Sequence, residues 1–269
     1  MMFLNPVPAE MASGSFYNET HAPFYLSPDK LESDYASVRF ERELRLFRRF
    51  CKSGNVLDVG CSTGAFHFQL QNRFPENYNV LGTDVSQPAL SYAKSRGVKI
   101  VNESFLDSDF GEKRFDAITF WAVMEHLINP KEFLEKAAAL LKSGGNCFIL
   151  VPNMKSLAVR ILESKYRYIL PEHVNYFTPG TLRELSQTQP AFEIVASGSM
   201  HFNPLVIWQD WRSGGKYASD EQRAALLKRT TSYKQNPLLK PIRWVYKGAE
   251  KILSAINLAD NLFLVVRKK

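Results

Sequence analysis

Two spacings of apolar residues alternate along the chain. Short runs, nearly all apolar, recur at residues 56–59, 79–83, 98–101, 115–120 and 146–151. Runs of this kind suit strands of a parallel sheet covered on both faces. The segments between them have helical spacing. Phe40, Leu44 and Phe47 predict a helix over 35–50, and residues 66–73 predict a first crossover helix. Ser86 caps the next, with Pro88 in its first turn and Gly97 near its end. Asn129-Pro130 opens a third, closed by Lys142-Ser143-Gly144-Gly145. Strands alternating with helices imply right-handed crossovers and a doubly wound sheet. Further on, 156–168 and a segment capped by Thr178 read as helices, and 192–197 and 262–267 as strands. The stretch 198–261 between those strands has helical segments at 224–230 and 241–256. Residues 1–34, rich in Pro, Ser and aromatics, read as an irregular arm.

The most informative turn follows the first strand: Gly60-Cys61-Ser62-Thr63-Gly64-Ala65-Phe66. A parallel sheet places its ligand at such a turn, outside the carboxyl end of a strand. Gly60 and Gly64 remove side chains where backbone approaches a ligand or takes a positive φ. Asp84 follows the second strand and suits both hydroxyls of a ribose, so the ligand is expected to contain adenosine. The glycine spacing differs from the G-x-G-x-x-G of nicotinamide enzymes. Asp58, just before the turn, would repel a pyrophosphate but suits a cationic amino-acid end. No Gly-Lys-Ser/Thr follows, which excludes a P-loop.

These residues, Asp58 to Gly64, resemble motif I of the class I S-adenosylmethionine-dependent methyltransferases, with Ser62 at its second glycine. The resemblance covers about 46–151. It includes Phe115-Asp116, Met124-Glu125-His126-Leu127 and the Lys142-Ser143-Gly144-Gly145 turn, where Ser143 replaces proline. Pro171-Glu172-His173-Val174-Asn175-Tyr176-Phe177-Thr178-Pro179, then Thr181-Leu182, is similar to the subgroup with ubiquinone-type O-methyltransferases and those of glycan and natural-product pathways.

The resemblance implies an α/β, Rossmann-like, seven-stranded and mostly parallel sheet with an antiparallel last strand and helices on both faces. The domain would span 35–269, and 198–261 would be a helical insertion acting as a lid. It implies S-adenosylmethionine as cofactor and S-adenosylhomocysteine as product. Backbone N–H groups around Gly60 and Cys61 would approach the methionine end, Asp58 its ammonium, Asp84 the ribose and Val85 the adenine. Ser104 stands where relatives carry an acid on the adenine amino group, with Phe105 beside it and Glu103 and Asp107 as alternatives. Phe120 and Trp121 would border the methyl group. Plain core packing is the alternative for Phe105 and Phe120. Tyr17 and Tyr25 of the arm would close over the cofactor, with surface packing as their alternative.

Methyl transfer from a sulfonium is an in-line displacement, so the protein chiefly positions nucleophile and methyl group. A base is needed only for an acceptor that holds its proton tightly, as an alcohol does. His173 and His126 are the candidates, His173 for catalysis. His126, with Trp121 and Tyr25, is placed toward the substrate, and support of a helix start is its alternative role. In ubiquinone-type relatives an E-x-x-E-H run with a distant His binds a divalent metal. Ala122 occupies the first glutamate position here, so no metal is expected, although Glu125, His126 and His173 remain a three-ligand set. The expected reaction is methylation of a small-molecule oxygen in a sugar, phenol or lipid-linked intermediate. Methylation of nitrogen or carbon, or a cofactor-binding partner subunit without catalysis, are the alternatives.

Composition narrows this little. A chain of 269 residues with 45% hydrophobic content suits a soluble globular protein. No apolar run reaches the ~18 residues of a membrane span, and residues 1–15 lack the pattern of a secretory signal. Cys51, Cys61 and Cys147 show no close pairing, which suggests reduced thiols in a cytoplasmic protein. The net charge of +7 comes without an RNA-binding signature, so nucleic acid is not expected. A solvated basic face or an acidic membrane surface accounts for it. In 241–256, Ile242, Val245, Ala249, Ile252, Leu253 and Ile256 lie beside Arg243, Lys247 and Lys251. Core packing, or a weak peripheral membrane contact, would use that stripe. The oligomeric state is left open.

Overall fold

The computed structural model describes residues 2–13, 15–101, 104–166, 169–170, 172–212, 219–236 and 240–269. Glu103, Tyr168 and Pro171 lie outside them.

The apolar runs form the strands β1 (Gly54–Val59), β2 (Tyr78–Thr83), β3 (Ile100–Val101), β4 (Phe115–Trp121) and β5 (Leu141–Pro152), followed by β6 (Phe192–Met200) and β7 (Asn261–Lys268). They make one seven-stranded sheet in the order β3-β2-β1-β4-β5-β7-β6. The first five pair in parallel. β7 runs opposite to the other six strands, pairing antiparallel with both β5 and β6.

Side chains alternate across a strand, and both faces of this sheet are covered. On one face Leu57, Val59, Ile118 and Cys147 pack with Leu134 and Ala137 of α5 (Pro130–Leu140) and Leu182 of α7 (Pro179–Gln187). On the other, Val56, Val80, Ala117 and Phe148 pack with Leu44 and Phe47 of α2 (Glu41–Phe50) and with Phe66 and Leu70 of α3 (Ala65–Arg73). α4 (Gln87–Ser95) joins β2 to β3.

The helix predicted over 35–50 is shorter, forming only over 41–50, and a separate helix precedes it. α1 (Pro28–Tyr35) ends at an extended Ala36, and α2 begins after Phe40 at φ 57°. The Gln69 amide donates to the carbonyls of Tyr35 and Ala36 at 3.0 and 2.8 Å, satisfying groups that a continuing helix would otherwise pair. The arm is also more regular than expected. It contains helices Ala9–Ser13, Ser15–Asn18 and Ala22–Tyr25, and its strand Met2–Phe3 pairs with Asn175–Tyr176. The helix expected over 156–168 is α6 (Leu157–Leu162), continued only by a 3₁₀ turn, Glu163–Lys165.

Between β6 and β7 stand α8 (Pro204–Arg212), α9 (Asp220–Gln235) and α10 (Lys240–Ala255). α8 has no counterpart among the predicted elements. α9 lies against α1: the Ser33 and Thr231 hydroxyls are 2.8 Å apart, and Lys228 reaches Asp29 and Glu32 at 2.9 Å. The stripe of α10 divides. Ala249 and Leu253 are half-buried, while Val245, Ile252 and Ile256 are exposed. The side chains of Ile242 and Arg243 lie outside the described ones. Among the described residues no helix is long and apolar enough to cross a membrane.

Candidate active site

The sheet order reverses beside β1, because the chain moves outward to β3 and then returns to β4 on the opposite side. Strands diverge into helices on opposite faces there, which leaves a crevice at their carboxyl ends. Asp58, Gly60, Cys61, Asp84, Val85, Ser104, Phe105, Trp121, His126, His173 and Tyr25 line one cavity at that place. Gly64 and Phe120 do not belong to its lining.

Asp58 pairs in register with Thr119 of β4, whose hydroxyl donates to Oδ1 at 2.6 Å. Burial pushes the Asp58 carboxyl up to about 7; the Thr119 hydrogen bond opposes this and the nearby Asp84 adds to it. A ligand ammonium within a few ångströms of it would favour the anion.

Gly60 has φ 70°, and a Cβ there would stand 2.5 Å from a Val123 methyl. The N–H groups of Gly60 and Cys61 donate to the Thr83 carbonyl at 2.8 and 3.1 Å. This corrects the expectation that these two donors face a ligand: the turn uses them to bind β2. Gly64, at φ 81°, is the residue before α3, and a Cβ would meet Val98 at 2.6 Å. Its role in this structure is close helix packing.

Asp84 is gripped from both sides. Ser62 N–H donates to Oδ2 at 2.8 Å and Ser86 N–H to Oδ1 at 2.9 Å. Each carboxylate oxygen keeps further acceptor capacity for a ribose hydroxyl. Burial raises its pKa, and the backbone donors oppose that rise. The arm closes on the same corner. Asn18 donates to the Val85 carbonyl at 3.2 Å and accepts from Gln87 N–H at 2.8 Å. The Ser86 hydroxyl, which makes no cap bond to its own helix, donates to the Tyr17 carbonyl at 3.0 Å.

Ser104 lines the cavity with its hydroxyl 2.5 Å from Asp107. Phe105 lies between cavity and core, with ring contacts to Phe110, Phe120 and Phe133. Phe120 is fully buried in that core, so for it the packing alternative holds. Trp121 rests on Phe66 and Phe148, and its buried indole N–H has no acceptor among the described residues. Tyr25 stands edge-on to His21, and burial raises its phenol pKa with help from Asp84.

Beyond β4 the chain turns at Ala122, φ 57°, into a 3₁₀ turn, Met124–His126. The Asn175 amide donates to the Met124 and Leu127 carbonyls and ties this turn to the His173 loop. Ligand atoms of Glu125, His126 and His173 lie within 4.8 Å of one another. His126 Nδ1 is 2.9 Å from the Glu172 carbonyl. A carbonyl only accepts, so Nδ1 carries the proton and Nε2 keeps its lone pair. Burial lowers His126 to about 4 and raises Glu125 to about 8. Glu125 Oε2 is buried without a partner among the described residues.

One carboxylate and two imidazoles suit a borderline divalent ion better than magnesium. Those three side chains would hold it, with Ala122 unable to add a fourth ligand. Such an ion would lower the pKa of an acceptor hydroxyl.

Tyr17, which the sequence placed over the cofactor, has a buried hydroxyl lacking a partner among the described residues and stands edge-on to His126. Sequence reasoning missed other residues of this site. Arg223 of α9 lies 3.5 Å from Glu172. Asn18 and Arg223 reach the site from distant segments, so no local spacing signals them; Glu172 and Asn175 flank His173 in sequence.

Comparison with known proteins places this geometry. Residues 34–189 match the family model described as a methyltransferase domain. Over 133 residues the chain is 28% identical to an uncharacterized protein of Methanocaldococcus jannaschii, covering 49% of this chain and 61% of that relative's length. It is 26% identical over 167 residues to a ubiquinone biosynthesis O-methyltransferase of Coxiella burnetii, covering 57% and 70%. A crystal structure of a SAM-dependent methyltransferase from Archaeoglobus fulgidus shares the fold, with TM-score 0.58 at 19% identity over 93% of this chain and 98% of that one. The family match takes in the glycine turn, Asp84, the histidine pair and more than half of the chain. The chain belongs to the methyltransferase-domain family, as a class I, S-adenosylmethionine-dependent member.

Proposed function

We propose that the chain transfers the methyl group of S-adenosylmethionine to an oxygen of a small-molecule acceptor: a sugar, a phenol or a lipid-linked intermediate. The observation that carries this reading is the cluster of buried Glu125, half-buried His126 and buried His173, which shares a cavity with Asp58 and Asp84. The Coxiella relative, an O-methyltransferase by name, supports the choice of oxygen.

In this reading Asp84 holds the ribose hydroxyls, and Val85, Ser104 and Phe105 border the adenine. Asp58 orients the ammonium, and Gly60 and Cys61 floor the methionine end. Trp121, Tyr25 and His126 face the acceptor. The acceptor oxygen attacks the methyl carbon, the carbon–sulfur bond breaks, and its electron pair stays on sulfur as S-adenosylhomocysteine. His173 takes the hydroxyl proton. His126, held to about 4 by burial, suits accepting a hydrogen bond better than keeping a proton. Tyr17 and Tyr25 exclude water from the sulfonium.

Calorimetry and turnover test this. Asp84→Ala is expected to weaken S-adenosylmethionine binding roughly 10- to 100-fold, the value of hydrogen bonds to a charged group. Release of S-adenosylhomocysteine is then measured with matched phenols, sugars and amines. His173→Gln is expected to lower kcat on hydroxyl acceptors by about 10²–10⁴ while cofactor affinity holds. Turnover of amines alone would sink the oxygen assignment, and cofactor binding without any turnover would favour a non-catalytic partner.

A further inference from the structure

The insertion contains a helix that exposes several bulky apolar residues. On α10 the inward side carries Tyr246, Ala249, Glu250 and Leu253. Glu250 is buried and pairs with Arg42 at 2.6 Å, and the Tyr246 hydroxyl donates to the Phe202 carbonyl. The outward side carries Trp244, Val245, Ile252 and, just past the helix, Ile256, which are 79%, 76%, 66% and 59% exposed. At 3.6 residues per turn these positions fall within an arc of about 120°. Lys247 and Lys251 flank the arc and are exposed, and Glu250, the helix's one acid, points inward. α8 of the same insertion also exposes Leu205, Trp208 and Trp211. The Arg212 guanidinium lies 5.3 Å from the Trp208 ring.

We infer that the outward face of α10 docks onto an anionic phospholipid surface. A helix that shows tryptophan and isoleucine to solvent beside lysines, with no exposed acid, has the composition of an interfacial helix. Its aromatic and aliphatic groups fit the headgroup–acyl boundary, and its lysines meet anionic headgroups. The net charge of +7 draws the whole molecule to such a surface. A two-fold contact between copies through this face fits less well. It would bring Lys247 and Lys251 of both copies together with no exposed acid on the helix to meet them.

The test is co-sedimentation of the full chain with phosphatidylcholine vesicles, with and without phosphatidylglycerol. The protein is expected to pellet with the anionic vesicles at low salt, and several-fold less at physiological salt or with phosphatidylcholine alone. Trp244→Ser combined with Ile252→Ser is expected to cut the pelleted fraction on the order of tenfold. Lys247→Glu with Lys251→Glu should do the same. Circular dichroism and thermal unfolding, which do not depend on the assigned chemistry, confirm that each variant is folded. Failure of the wild type to pellet, or equal pelleting of folded variants, overturns the inference. So does a wild-type dimer, seen by sedimentation equilibrium, that ignores vesicles and is split by Trp244→Ser: the face would then belong to a second copy.

Discussion

Glu125 and Asp58 keep their protons at pH values where exposed carboxyls have lost them, because burial withholds the water that would stabilise their anions. Glu125 rises from 4.5 to about 8, with burial as the dominant cause. Above 4.5 the unfolded chain releases this proton while the folded chain retains it. The associated stability is therefore full below 4.5 and is lost as pH rises through about 8. Glu125→Gln keeps the shape and removes the titration. Between about pH 5 and 8.5 the wild-type Tm should fall steadily relative to the variant's, by several degrees, since each pH unit of that window is worth up to about 1.4 kcal/mol and about 1 kcal/mol moves Tm by roughly 2–4 °C in a chain of this size. Parallel Tm curves would mean that Glu125 is ionised throughout. The same proton opposes metal binding, since an ion must displace it. With Ala122 removing a fourth ligand, dialysis against EDTA is expected to change methyl transfer by no more than about twofold. A loss on the order of tenfold, restored by manganese or zinc, would instead assign Glu125, His126 and His173 to an ion.

At the scale of elements, α4 begins with a cap borrowed from the arm. Its own Ser86 makes no cap bond, and Gln87 N–H finds Asn18, 69 residues away. An orphan donor at a helix start is worth about 1 kcal/mol when capped. Asn18→Ala is expected to lower Tm by about 2–4 °C. It should also weaken cofactor binding several-fold if Val85 borders the adenine as proposed, because Asn18 holds the Val85 carbonyl. A lowered Tm with unchanged cofactor affinity, measured by calorimetry, would confine Asn18 to the helix cap.

Over the whole molecule, arm, insertion and His173 loop meet at Arg223. Its guanidinium contacts Glu172 at 3.5 Å and Asp220 at 3.2 Å and lies 4.9 Å from the Phe24 ring. Removing it leaves a buried Glu172 without its cation. Burial already raises the Glu172 pKa, so the carboxyl can take up a proton, and that limits the damage. Arg223→Ala is expected to cost about 1–3 kcal/mol in thermal unfolding. In steady-state kinetics it should raise KM for the acceptor more than for the cofactor, since the His173 loop loses its support. Equal effects on both would show that the latch serves only stability.

The sheet, the glycine turn and the crevice holding Asp58 and Asp84 were legible in the order of residues alone. They depend on short-range patterns: continuous apolar runs for strands buried on both faces, a glycine where φ must be positive, and a carboxylate one residue past a strand. His173 and Glu125-His126 were legible for the same reason, as compact local runs. Other features emerged only once the chain was folded: the Gly60 and Cys61 donors face Thr83, Phe120 belongs to the core, and α2 starts after Phe40. In the same way Asn18 reaches the Val85 carbonyl, Arg223 reaches the cavity, and exposed apolar residues of α10 point outward. Each of these depends on which distant group satisfies a hydrogen bond or covers a surface. Hydrophobic spacing records that a residue prefers to leave water, but not which partner, within the chain or beyond it, will take water's place.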